Sequence, residues 1–164
     1  MPVTTTPRTA GTRRLAPRTR RVVLTTHVAS SVGLLGVMGA YLAIAISAAG
    51  GDPALRDTAY DLLGTFSFLF GIPLSFIALG TGMALGPASK WGVLRYWWTT
   101  LKLGLLALVI LNGALNIGRM TEQRLDGGGS EWALVAVVSA SVALLLASIV
   151  LSVFKPGGRL RTAK

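Results

Sequence analysis

The amino-acid sequence predicts an all-α fold, a four-helix transmembrane bundle running up-down-up-down with both ends in the cytoplasm. Three observations carry this expectation. Four long apolar runs occupy most of the 164 residues, the polar connections between them are short, and arginine and lysine are unevenly distributed. The chain is 52% hydrophobic and 13% charged, whereas a soluble domain is about one-quarter charged, so lipid is the expected solvent. Cysteine is absent, which excludes disulfides, thiolate metal sites and cysteine nucleophiles. One histidine and six acidic residues are too few for a multi-ligand metal centre.

Residues 1–21 are rich in Thr, Pro and Arg and hold no core-forming pattern, so they read as a disordered basic cytoplasmic tail. The first apolar run, Val22 to Ala49, has no formal charge, and His27 is its only titratable group near neutral pH. Leu62 to Ser89 is uncharged and carries Pro73 near its middle, where a kink and a freed carbonyl are expected. Tyr96 to Gly118 contains one charge, Lys102, and Trp132 to Phe154 contains none. Each run reaches the roughly 20 residues that a hydrocarbon layer requires. The expected helices are about 22–49, 58–86, 95–118 and 132–154, with a basic cytoplasmic tail at 155–164.

Orientation follows from the basic residues. The amino-terminal tail, the second loop (Lys90, Arg95) and the carboxy-terminal tail hold twelve of the sixteen Lys and Arg. The first and third loops hold Arg56, Arg119 and Arg124, so the basic set is assigned to the cytoplasm. The net charge of +10 therefore points to the membrane surface, and nucleic acid is not an expected partner. Trp91, Tyr96, Trp97 and Trp98 mark the cytoplasmic boundary, and Tyr60 and Trp132 the outer one. A twin-arginine signal peptide is the competing reading of Arg20-Arg21 and the first run. That run is much longer than the 7 to 15 residues of a signal core, and three more runs follow.

Rows of small residues recur at three- and four-residue spacing: Ala29, Gly33, Gly36, Ala40 and Ala43; Ser67, Gly71, Ser75, Ala78 and Gly82; Ala136, Ala140, Ala143 and Ala147. Such rows let helices approach closely in lipid, where apolar burial gives no drive to associate. On the third helix, Lys102, Gly113 and Asn116 fall on one face with Asn112 near its edge, and that face is expected to turn inward. Gly104, Ala107, Leu111, Ala114 and Gly118 occupy the opposite side, which suits close packing.

The candidate site residues are His27, Lys102, Asn112 and Asn116. Lys102 stands seven residues beyond Arg95, about 10 Å deeper along a helix, and His27 about 9 Å beyond Arg21. The two are expected at one polar level near the cytoplasmic side. Lys102 either faces a pocket, where an ammonium can bind an anion, or snorkels to the headgroups. His27 either hydrogen-bonds a neighbouring helix or serves as a haem ligand or proton shuttle. Asn112 and Asn116 either bond between helices or extend a hydrated path from Lys102. The glycine run 127–129 follows no strand and lacks a phosphate-loop lysine, so it reads as an outer loop.

His27, the following Val32-Gly33-Leu34-Leu35-Gly36 and the Tyr96-Trp97-Trp98-Thr99-Thr100-Leu101-Lys102 segment together resemble a family of small bacterial integral membrane proteins of unknown function. Their broader pattern is similar to the CopD-type and HemJ-type four-helix membrane domains. The HemJ resemblance implies a functional first-helix histidine and third-helix lysine, which fall on His27 and Lys102, and an associated haem. There is no second histidine, so haem would take a weaker axial partner such as Met38 or Met83, or keep an open coordination position. The leading functional expectation is a non-enzymatic, accessory membrane protein. Alternatives are a haem- or porphyrin-linked oxidoreductase using His27 and Lys102, and a small transporter component for an anion or proton. Expected partners are the lipid bilayer and a second copy or a membrane partner protein. No metal is expected apart from haem at His27, the one cofactor the residues leave open.

Overall fold

A computed structural model describes residues 15–51, 53–88, 97–126 and 131–154, with backbone alone for 53–55, 87–88, 117–126 and 131. The expected terminal tails (residues 1–14 and 155–164), Lys90, Trp91, Arg95, Tyr96 and the glycine run lie outside the described residues. Those residues are helical, with no strand among them: α1 is Pro17–Gly50, α2 Pro53–Phe66, α3 Ile72–Ala88, α4 Trp97–Asp126 and α5 Glu131–Phe154. A π-helical turn, Ser67–Gly71, joins α2 to α3, so the two form one span. Four stretches are long and apolar enough to cross a membrane: Pro17–Gly50, Arg56–Gly86, Trp97–Asn116 and Trp132–Phe154. The fold fits a multi-pass membrane protein.

Three helix ends differ from expectation. The helix of the second span begins at Pro53, five residues before the expected 58. Residues 17–21, assigned to the tail, form the first turn of α1. Pro17 explains this, because its fixed φ suits the first helical position and its missing N–H is not needed there. The third helix continues to Asp126, through a stretch assigned to the loop. Arg119, Met120, Glu122, Gln123 and Arg124 are all good helix formers, so nothing stops the helix before the glycines.

Pro73 produces a π turn in the second span. Proline has no N–H for the carbonyl four residues back, and its ring crowds that carbonyl. The ladder lengthens just before it: the Ile72 N–H donates to the Ser67 carbonyl, five residues back. The extra residue widens the helix where a strict α ladder would be broken.

α1 is the centre of the packing. One apolar cluster joins its Tyr41 and Ala45 to Leu63 of α2 and to Leu134 and Val138 of α5. A second joins Leu34 of α1 to Val109 of α4 and Leu145 of α5. α1 packs along α3 and α5, and α4 along α5, while α3 and α4 touch only lightly. Outside these clusters large apolar side chains are exposed, with Phe68 at 76%, Phe76 at 60% and Leu111 at 54%. That surface suits acyl chains, since soluble proteins rarely expose contiguous apolar area on this scale.

The small-residue rows divide. In the second span Gly71, Ser75 and Ala78 are buried, and Ser67 and Gly82 are half-buried. The α1 row faces outward instead: Ala29, Gly36, Ala40 and Ala43 are exposed, while the half-buried Gly33 lies against Leu74. The α5 row, Ala136, Ala140, Ala143 and Ala147, is also exposed, and larger residues fill the seam. On α4 the polar side turns inward, with Lys102, Asn112, Gly113 and Asn116 half-buried. Gly104, Ala107, Leu111 and Ala114, expected to suit packing, are exposed.

Candidate functional site

His27 reaches from α1 to the middle of α3. Its Nδ1 lies 3.0 Å from the Ala78 carbonyl oxygen and 3.0 Å from the Thr81 hydroxyl oxygen. The Thr81 hydroxyl donates to the Ile77 carbonyl at 2.6 Å. A carbonyl only accepts, so Nδ1 carries the hydrogen and shares it between Ala78 and Thr81, leaving Nε2 as the acceptor of the neutral ring. Gly82 makes this approach feasible: a Cβ there would stand 3.2 Å from His27 Cε1.

Lys102 bonds elsewhere. Its Nζ donates to the Ser152 hydroxyl on α5 at 2.5 Å, and Ser152 donates to the Ser148 carbonyl at 3.0 Å. The hydrogen bonds of His27 and Lys102 go to different helices, α3 for His27 and α5 for Lys102.

Asn112 and Asn116 form a second polar level. Asn112 Nδ2 donates to the Val137 carbonyl at 3.1 Å and to the Ser141 hydroxyl at 2.8 Å. Asn116 Nδ2 turns back along its own helix to the Asn112 carbonyl at 2.7 Å and to Asn112 Oδ1 at 3.2 Å.

Of the two methionines that could face His27 as a second haem ligand, Met38 is too distant and Met83 is turned largely outward. Met38 stands eleven positions after His27 on the same helix, about 16 Å along its axis, too far to share one iron with it. Met83 is 53% exposed. No group of three or more His, Cys, Asp or Glu that could hold a metal ion occurs among the described residues.

A concave feature lies apart from His27 and Lys102. A cavity of about 680 Å³ opens between the second span and α4, over a floor from α1 and α5. Neither His27 nor Lys102 lines it, whereas Asn116 does. Its walls bring in residues that the sequence did not single out as a site, among them Tyr41, Tyr60, Asp61, Phe68 and Phe76. The Tyr41 hydroxyl is buried beside the π turn without a well-formed hydrogen bond. It approaches Gly71 closely, where a Cβ would stand 3.4 Å from that oxygen and 3.7 Å from the Ser67 hydroxyl. The signal for this crevice was faint, because its lining is mostly apolar and its members come from all four spans.

Comparison with family models, curated proteins and solved structures finds no match to this chain. Fold and site together fit a helical membrane protein with polar side chains bonded between its spans and a crevice lined by residues of all four.

Proposed function

We propose that the chain is an accessory, non-catalytic protein of the bacterial cytoplasmic membrane whose interior polar side chains hold its helices together. The observation that carries this reading is that His27, Lys102 and Asn112 each hydrogen-bond a neighbouring span. Interhelical bonds of this kind are ordinary cement in lipid. An up-down-up-down course with both ends in the cytoplasm is supported by the contact register and the basic residues. Early residues of α1 meet late residues of the second span, as with His27 and Thr81, and early α4 meets late α5, as with Lys102 and Ser152.

The test is an absorbance spectrum of the detergent-purified chain with and without added haemin, alongside thermal unfolding of His27→Ala. The expected result is no Soret band dependent on His27 and a lower unfolding temperature for the variant. A band that disappears in His27→Ala with stability unchanged would sink the reading. One observation favours that second reading, a haem-linked oxidoreductase: with Nδ1–H held by a carbonyl, His27 presents Nε2 in the form that ligates iron. Passage of an anion or proton along Lys102, Asn112 and Asn116 has less support, because both asparagine amides are engaged in local bonds.

A further inference from the structure

The charges of this chain are sorted by end. All six acidic residues lie within 52–61 and 122–131, so residues 1–51, 62–121 and 132–164 contain no Asp or Glu. Packing places both acidic stretches at the far end of α1. There Tyr41 and Ala45 meet Leu63, just after Asp61, and Leu134, just after Glu131. Earlier in α1, Leu34 meets Leu145, so α1 and α5 run in opposite senses and α1 begins beside the end of α5. At that opposite end the first two turns of α1 carry Arg18, Arg20 and Arg21, all exposed. None of the three makes a side-chain hydrogen bond or ion pair among the described residues. α1 runs 34 residues, about 50 Å, and the first carboxylate of the sequence, Asp52, follows its far end. Exposed charges are largely screened beyond about 8 Å at physiological salt, so the acidic end does not neutralise these arginines. The sequence before α1, between α3 and α4 and after α5 adds nine Lys or Arg and no acidic residue.

We propose that this end of α1 binds anionic phospholipid headgroups, with the guanidinium groups of Arg18, Arg20 and Arg21 on their phosphates. Two observations select a lipid over an anion from the water. Arg21 directly precedes Val22, where the uncharged run begins. The three arginines therefore stand within about 6 Å of that run along the helix axis, at headgroup depth. They also belong to the same unbroken helix as the span, which fixes their height against the bilayer. Basic residues so placed attract anionic lipid by about fivefold each, and the guanidinium fork matches phosphate oxygens. The proposal rests on the membrane-spanning reading of the fold and does not depend on the accessory role.

Spin-labelled lipids provide the test, with the full chain reconstituted in phosphatidylcholine bilayers. Electron paramagnetic resonance then measures the labelled lipid held at the protein surface. Phosphatidylglycerol should associate about threefold or more above phosphatidylcholine of the same acyl chains, and the excess should shrink as salt rises. Arg18→Gln, Arg20→Gln and Arg21→Gln combined should remove at least half of that excess, whereas Lys at the same three positions should keep most of it. Arg119→Gln with Arg124→Gln, at the acidic end, should leave it in place. Phosphatidylcholine held at the surface in every sample reports insertion, so failure of the membrane reading is distinguished from failure of the proposal. Equal association of the two lipids, or an excess unchanged in the triple Gln variant, would overturn the proposal. Saturable binding of polyglutamate in detergent without any lipid preference would also overturn it, and would mark the arginines as a seat for an acidic protein.

Discussion

Nδ1 of His27 lies 3.0 Å from the hydroxyl oxygen of Thr81, a residue fifty-four positions later in the chain. This contact, with its companion to the Ala78 carbonyl, pins the first third of α1 to the middle of α3. His27→Ala should lower stability by about 1 kcal/mol, the scale of an interhelical hydrogen bond in lipid. Gly82→Ala should cost somewhat less, since the imidazole edge must yield a few tenths of an ångström to a Cβ at 3.2 Å. Gly80→Ala, where a Cβ meets nothing within 4 Å, should be neutral or stabilising by up to about 1 kcal/mol. Reversible unfolding in mixed micelles measures all three, and a Gly80→Ala variant as unstable as Gly82→Ala would contradict the contact.

Asn112 and Ser141 form the central bond between α4 and α5, at 2.8 Å. A double-mutant cycle with Asn112→Ala and Ser141→Ala should give a coupling between about 0.6 and 1.7 kcal/mol. Asn116→Ala should cost less than Asn112→Ala, because the amide of Asn116 returns to its own helix.

Lys102 is described with a single neutral partner, Ser152. An ammonium at mid-membrane costs about 2.5–3.5 kcal/mol on insertion scales, and less near the surface. Lys102→Met keeps most of the buried stem and removes that cost, so it should be at least as stable as the parent. Lys102→Ala should be less stable than Lys102→Met, having lost the packing of the stem. Loss of more than about 2 kcal/mol in Lys102→Met would show that the charge has a stronger partner than a hydroxyl.

The π turn Ser67–Gly71 is equivalent to one residue inserted into an α-helix. Deleting Leu69, which is 58% exposed, together with Pro73→Ala should convert the turn to continuous α-helix with both flanks still in phase. The double change should cost no more than about 2 kcal/mol. Deleting the comparably exposed Leu146 of α5 should be far more damaging, because it rotates everything beyond it by about 100°. Thermal unfolding followed by circular dichroism distinguishes the two.

The four spans were legible in the sequence because apolar length alone marks a helix that can cross lipid. The inward turn of Lys102, Asn112 and Asn116 was legible too, since polar groups seek the bundle interior. The inward faces of α1 and α5 were not. In lipid the outer surface is as apolar as the core, so hydrophobic periodicity loses its contrast. Small residues then mark an interface only where another helix lies against them. Gly71, Ser75 and Ala78 meet that condition, while Gly36, Ala40 and Ala143 do not. His27 and Lys102, expected at one polar level, bond to different helices, and the crevice described above is lined by neither. Crevice members such as Tyr41, Phe76 and Val138 carry no individual mark, and only their assembly makes a site.

The light contact between α3 and α4 has a mechanical meaning. α1 acts as the spine of a book: the second span is one cover, and α4 is a page bound mainly through α5. Among the described residues few side chains would have to part for that page to lift, so the width of the crevice can change at little cost in packing. Bilayer thickness and lateral pressure would act on that dimension first, while the seam between α1 and α3 kept its register.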